Sequence, residues 1–221
     1  MSLTLDGVED TDGALRRLAI SSLLDNLQRC LYNAVMLKLF ATICLKLFGW
    51  SVDSRLPKEN KYVLIVAFHT SNWDFIVGIL AMWAMGERFY WVGKHTLFWG
   101  PFGYMFRLLG GIPVDRRAHH GFISEMVEQF NSRDVMKLAI VPEGTRSRVS
   151  YWKTGFYYIA MEVKVPIAFG YFDYKNKIVG LGKTFYPSGD IDSDMDAIRE
   201  FYLDKSGKHP EKQGAIRLKQ D

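Results

Sequence analysis

Cysteine is scarce in this sequence, and its scarcity argues against a disulfide scaffold and against a zinc site. Only Cys30 and Cys44 occur among 221 residues, and they form no Cys-x-x-Cys pair. Both lie in an apolar stretch, so we predict small buried side chains in a protein of a reducing compartment. Cysteine and histidine show no zinc-like spacing, and we expect neither a metal nor a bound cofactor.

A large excess of charge of one sign is also missing. The chain has 28 Lys and Arg against 24 Asp and Glu, a formal net charge of +4 that is dispersed along the sequence. Nucleic-acid binding is therefore not expected, because it requires a concentrated basic surface. Residues 1–13 are acidic and contain no basic side chain. They lack the basic start of a cleaved signal peptide and are predicted to form a solvated tail.

The sequence has no clean apolar run of the length that spans a membrane. Residues 14–50 come nearest, with five basic side chains and Asp25 as the single acidic one. Lys38, Thr42 and Lys46 recur every four residues and interrupt the run too often for a span of about 20 residues. We predict helices that lie in a membrane interface, with the lysines at the headgroups. The alternative is a helix that packs in the core.

Strands and helices alternate after a loop at residues 53–60. Apolar runs predict strands near 62–68, 88–93, 111–114, 137–141, 165–172 and 177–183. Helices are predicted near 74–85, 101–109, 119–131, 155–163 and 192–204. This order predicts an α/β domain with a largely parallel sheet flanked by helices. We assign the domain to residues 57–221, with a loosely ordered end after Lys205, and the tail and membrane-associating helices to residues 1–56.

The peptide His69-Thr70-Ser71-Asn72-Trp73-Asp74 joins the first of these strands to a helix. His69 is predicted at the carboxyl end of the strand and Asp74 in the first helical turn, after Ser71 or Asn72 as N-cap. The loop allows Asp74 to accept a hydrogen bond from one imidazole nitrogen, which leaves the other free to remove a proton. No Ser or Cys nucleophile stands beside it. We predict a base oriented by a carboxylate, although the motif alone is equally compatible with a packing histidine.

Basic side chains follow other predicted strands. Lys94, Arg116 and Arg146 each come shortly after one, and Arg146 belongs to the peptide Glu143-Gly144-Thr145-Arg146. The carboxyl ends of parallel strands meet at one edge of a sheet, so these cations are expected near His69. The guanidinium group is well suited to binding phosphate. Each cation taken alone is equally well explained as a surface charge.

These segments together resemble the bacterial glycerolipid acyltransferase family, the lysophosphatidate-acyltransferase-like proteins with an H-x4-D motif. The likeness covers about residues 60–185, and the four family blocks correspond to His69–Asp74, Gly110–Arg116, Glu143–Arg146 and Val165–Ile167. The element Trp152-Lys153-Thr154-Gly155 also matches the family pattern. Phe68 departs from it, because family members often have Asn before the histidine.

The resemblance implies an O-acyltransferase of phospholipid biosynthesis. It would move a fatty acyl group from acyl-CoA or acyl carrier protein to the free hydroxyl of a lysophosphatidate-like acceptor, at the cytoplasmic face of the inner membrane. His69 and Asp74 would be catalytic. Three cations would bind the acceptor phosphate, namely Lys94, Arg116 and Arg146. Three residues would position the acceptor, namely Glu143, Gly144 and Thr145.

Some questions stay open at this level. Backbone N–H groups of the His69 loop or of Gly144 are candidates to stabilise the oxyanion. The acceptor is alternatively another lysolipid, such as a lyso-ornithine lipid or a lysophospholipid that is being remodelled. From a different class, the chain is alternatively a non-catalytic lipid-binding relative, although lipid binding alone requires no positioned base.

Overall fold

The computed structural model describes Ser21 and residues 35–114 and 121–219. The predictions for the acidic tail and for Cys30 and Arg116 lie outside these residues. So does most of the first half of the basic, apolar segment.

Helices and strands alternate along the described chain. The α-helices are α1 Val35–Leu47, α2 Trp73–Met85, α3 Gly100–Leu108, α4 Phe122–Asn131, α5 Gly155–Glu162 and α6 Ile191–Tyr202. The strands are β1 Ser51–Ser54, β2 Lys61–Ala67, β3 Tyr90–Lys94, β4 Gly111–Val114, β5 Met136–Ile140, β6 Ile167–Asp173 and β7 Ile178–Phe185. Short 3-10 helices occur at His95–Phe98 and Pro210–Lys212.

The strands form one sheet in the order β1-β7-β6-β2-β5-β3-β4. Neighbouring strands are parallel except β6 and β7, which are joined by a turn and run antiparallel. The predicted α/β class with a largely parallel sheet is therefore confirmed. Strand β1 was not predicted, and its last two residues were assigned to the loop at 53–60. Its four residues Ser-Val-Asp-Ser carry no apolar run, and it pairs only at the sheet edge with β7.

Strand β2 lies between β5 and β6 near the middle of the sheet and is almost wholly buried. A strand that is covered on both faces reads as a continuous apolar run, and Tyr62–Ala67 has this pattern. The strand pairs with β5 as far as Ile65 and with β6 as far as Ala67, two residues before His69. The fold thus fixes the start of the His69 loop.

Helix α1 packs on α2 with one face and leaves another apolar face exposed. Ala41 and Leu45 are buried in a cluster with Val77 and Ala81 of α2. The large apolar side chains that stay exposed on or just after α1 are Val35, Met36, Leu39, Phe40, Ile43, Leu47 and Phe48. The core alternative therefore holds for one face of the helix, and the membrane-interface alternative stays a prediction for the exposed face. None of the described helices has the length and hydropathy needed to span a bilayer.

The segment after Lys205 is packed, so the prediction of a loosely ordered end is wrong. Ile216 and Leu218 contact the main hydrophobic core. The backbone N–H of His209 donates to Thr70 Oγ1 at 3.1 Å. Apolar residues within this polar segment dock it onto the domain and bring it against the His69 loop.

Candidate active site

The His69 loop connects β2 to α2 and brings the imidazole to a buried carboxylate. Nδ1 of His69 lies 3.0 Å from Oδ2 of Asp74, whose side chain is fully buried while that of His69 is 23% exposed. Nε2 carries no hydrogen bond within the described part of the chain. The arrangement predicted from spacing, with one nitrogen on the carboxylate and one free, is the one observed.

Asp74 also folds the loop around itself. Its Oδ2 accepts from the backbone N–H groups of Thr70 at 2.9 Å and Ser71 at 2.8 Å. Its Oδ1 accepts from the hydroxyl of Tyr174 at 2.6 Å. These bonds, together with the N-terminal end of α2, offset the cost of burying the carboxylate. Asn72 is the N-cap residue, but its side chain makes no capping bond.

Glu143 holds the same loop from the neighbouring strand. Its side chain is buried, and Oε2 accepts from the backbone N–H of His69 at 2.8 Å. Burial raises the pKa of Glu143 to about 7, and the nearby Asp74 adds to the rise, while the bond from His69 opposes it. Glu143 was predicted to position the acceptor. The observed contact holds the His69 loop, and contact with the acceptor stays a prediction.

The turn after Glu143 carries Arg146 to the His69 loop. Its guanidinium Nη1 donates to Oδ1 of Asn72, and the side chain is exposed. Gly144 adopts φ +65°, a conformation that favours glycine, and a Cβ there would approach Lys153 Cε to 3.3 Å. Thr145 is exposed, and its Oγ1 accepts from Ser147 N at 3.3 Å.

Lys94, another predicted cation, lies at the end of an outer strand of the same sheet. Lys94 is the last residue of β3, is exposed, and pairs in register with Val114 at the end of β4. Arg116 lies outside the described residues, two positions beyond Val114. The parallel order of β2, β5, β3 and β4 places these strand ends side by side.

The predicted oxyanion donors are already in use. The N–H of His69 donates to Glu143, those of Thr70 and Ser71 donate to Asp74, and that of Gly144 donates to Val141 O. In this structure these N–H groups therefore have intramolecular partners, and which groups would stabilise an oxyanion stays a prediction. The loop needs them because its buried carboxylates require donors.

Several side chains at this edge were not among the predicted site residues. Tyr174, which donates to Asp74, follows the carboxyl end of β6, and that position was the available signal. Arg148 and Lys153 line an open cleft of about 260 Å³ with Glu143. Lys208 lies with its Nζ 5.1 Å from the Trp73 ring. Among residues 35–114 and 121–219, no three His, Cys, Asp or Glu side chains are grouped to hold a metal ion.

Residues 51–168 match the protein-family model described as Acyltransferase. The chain is 30% identical over 131 residues to the 1-acyl-sn-glycerol-3-phosphate acyltransferase of Haemophilus influenzae, covering 55% of this chain and 53% of that protein. It is 34% identical over 134 residues to the epsilon 1-acyl-sn-glycerol-3-phosphate acyltransferase of Mus musculus, covering 56% and 35%. The chain thus spans about half the length of the first relative and about a third of the second.

A solved structure shares the fold. The crystal structure of the 1-acyl-sn-glycerophosphate (LPA) acyltransferase from Thermotoga maritima superposes with a TM-score of 0.55 at 16% identity, covering 76% of each chain. At that identity the likeness concerns the fold. The family model, by contrast, matches more than half of the 221 residues and includes the His69–Asp74 and Glu143–Arg146 segments. The chain therefore belongs to the glycerolipid acyltransferase family.

Proposed function

We propose that the protein is an O-acyltransferase that acylates the free hydroxyl of a lysophosphatidate-like acceptor with a fatty acyl thioester. The observation that carries this proposal is the contact between Nδ1 of His69 and the fully buried carboxylate of Asp74. It orients the imidazole and leaves Nε2 available as a general base. The names of the relatives support the same acceptor class.

In the proposed reaction, Nε2 of His69 takes the proton of the acceptor hydroxyl as its oxygen attacks the thioester carbonyl. Asp74 stabilises the imidazolium that forms. The tetrahedral intermediate collapses with loss of the thiolate, which receives the proton and leaves as the thiol of the acyl carrier. Every group that takes part in this reaction is supplied by the two substrates or by the His69–Asp74 pair. The donor is an acyl-CoA or an acylated carrier protein.

The cations at the sheet edge support an anionic acceptor. Arg146 donates to Asn72, three residues after His69 in the same loop. Its guanidinium group therefore lies beside the loop that would meet the reacting hydroxyl. Lys94 ends β3 at the same edge, and Lys153 lies against the Glu143–Arg146 turn. A phosphomonoester that accepts charged hydrogen bonds from such groups would be held with its glycerol hydroxyl toward His69. Arg116 keeps its proposed place in this set.

Acceptor profiling tests the proposed function directly. The purified chain is incubated with labelled oleoyl-CoA or oleoyl carrier protein and one of several acceptors: lysophosphatidate, lysophosphatidylethanolamine, lyso-ornithine lipid or none. We expect thioester consumption to depend on the acceptor and to be fastest with lysophosphatidate. A preference for a different lysolipid would contradict lysophosphatidate as the acceptor. Lipid binding without acyl transfer to any acceptor would contradict the proposed activity.

Arg146→Ala should weaken acceptor use. The loss of a charged hydrogen bond to phosphate costs about 1.5–3 kcal/mol, so kcat/KM for lysophosphatidate should fall roughly 10- to 150-fold. Arg55→Ala is a matched control, because Arg55 is an exposed arginine that pairs with Asp53 after a strand running away from the His69 edge. An Arg146 variant with the same acceptor kinetics as the Arg55 variant would remove Arg146 from phosphate recognition.

We also propose that residues 1–56 contain the membrane-docking part and residues 57–221 most of the catalytic part, working at the cytoplasmic face of the inner membrane, while β1 belongs to the catalytic sheet. The exposed apolar face of α1 supports this, because Phe40 and Leu47 are 55% and 79% exposed. Lys38 and Lys46 flank the same helix and are exposed, as expected for contact with anionic headgroups. Ala41, Leu45 and Trp50 are core residues, so substitution of the exposed face is a cleaner test than deletion.

The double variant Phe40→Ser with Leu47→Ser should bind anionic vesicles at least roughly tenfold more weakly, because each buried side chain contributes about 1.5–3 kcal/mol. Co-sedimentation with phosphatidylglycerol-containing vesicles measures this. Leu203→Ser is the control, since Leu203 is 82% exposed just after α6. Equal vesicle binding by the double variant and the control would show that this face of α1 does not dock on the membrane.

A further inference from the structure

Tyr174 contacts the proposed catalytic pair from the side opposite the histidine. Its hydroxyl donates to Oδ1 of Asp74 at 2.6 Å, whereas Oδ2 faces Nδ1 of His69 and two backbone N–H groups. Building on the function proposed above, we infer that Tyr174 is a positioning residue of the acyl-transfer reaction. It acts through Asp74 and completes a His69–Asp74–Tyr174 chain.

The division of bonds between the two carboxylate oxygens explains what Tyr174 does. The terminal torsion of an aspartate is broad, so bonds to one oxygen alone leave the carboxylate plane weakly defined. Within the described residues, Tyr174 is the hydrogen-bond donor to Oδ1 of Asp74. With both oxygens engaged, the plane that receives Nδ1 of His69 is fixed. The hydrogen bond from the phenol also stabilises the negative charge of Asp74, as the contact with the imidazole does.

The tyrosine is itself held in place by three elements. Its backbone N–H donates to Ser206 O at 2.7 Å, and its ring packs edge-on against Trp50 with centroids 4.8 Å apart. Nζ of Lys177 lies 5.2 Å from the Trp50 ring and 5.9 Å from the Tyr174 ring. The preceding residue, Asp173, is buried and accepts from the backbone of the turn. A side chain secured in this way presents its hydroxyl to Asp74 in one orientation.

The surroundings of the phenol favour its protonated form, which can donate to Asp74. Burial raises the pKa of Tyr174 well above its ordinary value, and the bond to the Asp74 carboxylate raises it further. The charged or titratable groups around Asp74 are then His69 on one side and Glu143 beyond the loop, with Lys177 behind the Tyr174 ring.

Tyr174→Phe removes this one hydrogen bond and retains the ring that packs on Trp50. We expect kcat to fall roughly tenfold or more, the effect of losing a hydrogen bond to a charged group, with KM for the acceptor changed less than about twofold. Tyr171→Phe is the matched control, because its hydroxyl donates at 2.8 Å to Asp53, a carboxylate outside the site. A kcat of the Tyr174 variant equal to that of the Tyr171 variant would overturn the inference.

A double-mutant cycle shows whether Tyr174 acts through Asp74. In an Asp74→Asn background, Tyr174→Phe should change kcat by less than about twofold, because the residue it serves has lost its charge. Full additivity of the two substitutions would mean that Tyr174 acts elsewhere, and would contradict the inference.

A spectroscopic measurement separates this inference from the proposed activity. The imidazole ¹⁵N signals of His69, identified by their absence in His69→Ala, report the bond between Nδ1 and Asp74. We expect them to shift in Tyr174→Phe and not in Tyr171→Phe. Unchanged signals would refute the role of Tyr174 whether or not acyl transfer occurs. A wild-type chain that transfers no acyl group, yet shows the shift, would refute the proposed function alone.

Discussion

His69→Ala is expected to abolish acyl transfer. Without the imidazole, no side chain remains in place to take the proton of the acceptor hydroxyl, and loss of a general base costs about 10²- to 10⁴-fold in rate. Removal of the ring also leaves Oδ2 of Asp74 without one of its partners. Turnover of labelled acyl thioester in the presence of lysophosphatidate measures the effect.

His69→Asn separates chemistry from structure in this experiment. Its amide can still donate to Asp74, so the loop should keep its bonds, yet it cannot act as a base. Both variants should be inactive, and the Asn variant should unfold at nearly the temperature of the wild type. Turnover within a few-fold of wild type in a folded His69→Ala protein would sink the proposed mechanism.

The fold could be predicted because each buried element carries its own pattern. The run Tyr62–Ala67 is apolar throughout, as a strand covered on both faces requires, and the predicted bounds of β2 lie one residue from the observed ones. Strand β1 could not be found in this way. It is four residues long with exposed ends, and its pairing with β7 is decided by the sheet edge rather than by its side chains.

The packing of α1 could likewise be predicted only in part from the sequence. The polar stripe of Lys38, Thr42 and Lys46 was visible in the sequence. The sequence did not show which of the remaining apolar residues would pack on α2, because that follows from the close approach of the two helices. The small side chains Ala41 and Ala81 meet in the buried cluster, and the larger Leu39 and Phe40 stay outside.

In the site, contacts close in sequence were predictable and distant ones were not. His69 and Asp74 are five positions apart, and a strand–loop–helix frame is enough to bring them together. The bond from Glu143 spans 74 positions and that from Tyr174 spans 100. These depend on β2 lying between β5 and β6, an order set by packing of the whole sheet. The same order brings Glu143 to the backbone N–H of His69.

Asp74→Asn should lower kcat by roughly 10²- to 10⁴-fold without unfolding the protein. The asparagine carbonyl oxygen can take the place of Oδ2 and accept from Thr70 and Ser71 as the carboxylate does. Its amide nitrogen then faces the Tyr174 hydroxyl, which can accept as well as donate. The loop geometry is therefore retained, and what is lost is the negative charge that stabilises the imidazolium.

Thermal unfolding and steady-state kinetics together test this expectation. Asp53→Asn is the control, because Asp53 also accepts from a tyrosine hydroxyl, that of Tyr171, but lies away from the site. The two variants should have similar melting temperatures, whereas kcat should fall in the Asp74 variant alone and its KM for the acceptor should stay near that of wild type. If Asp74→Asn retains kcat within a few-fold of the Asp53 control, the carboxylate serves the loop and not the base. A higher KM for the acceptor with unchanged kcat would instead place Asp74 in acceptor binding, because a charge that stabilises only the transition state acts on kcat.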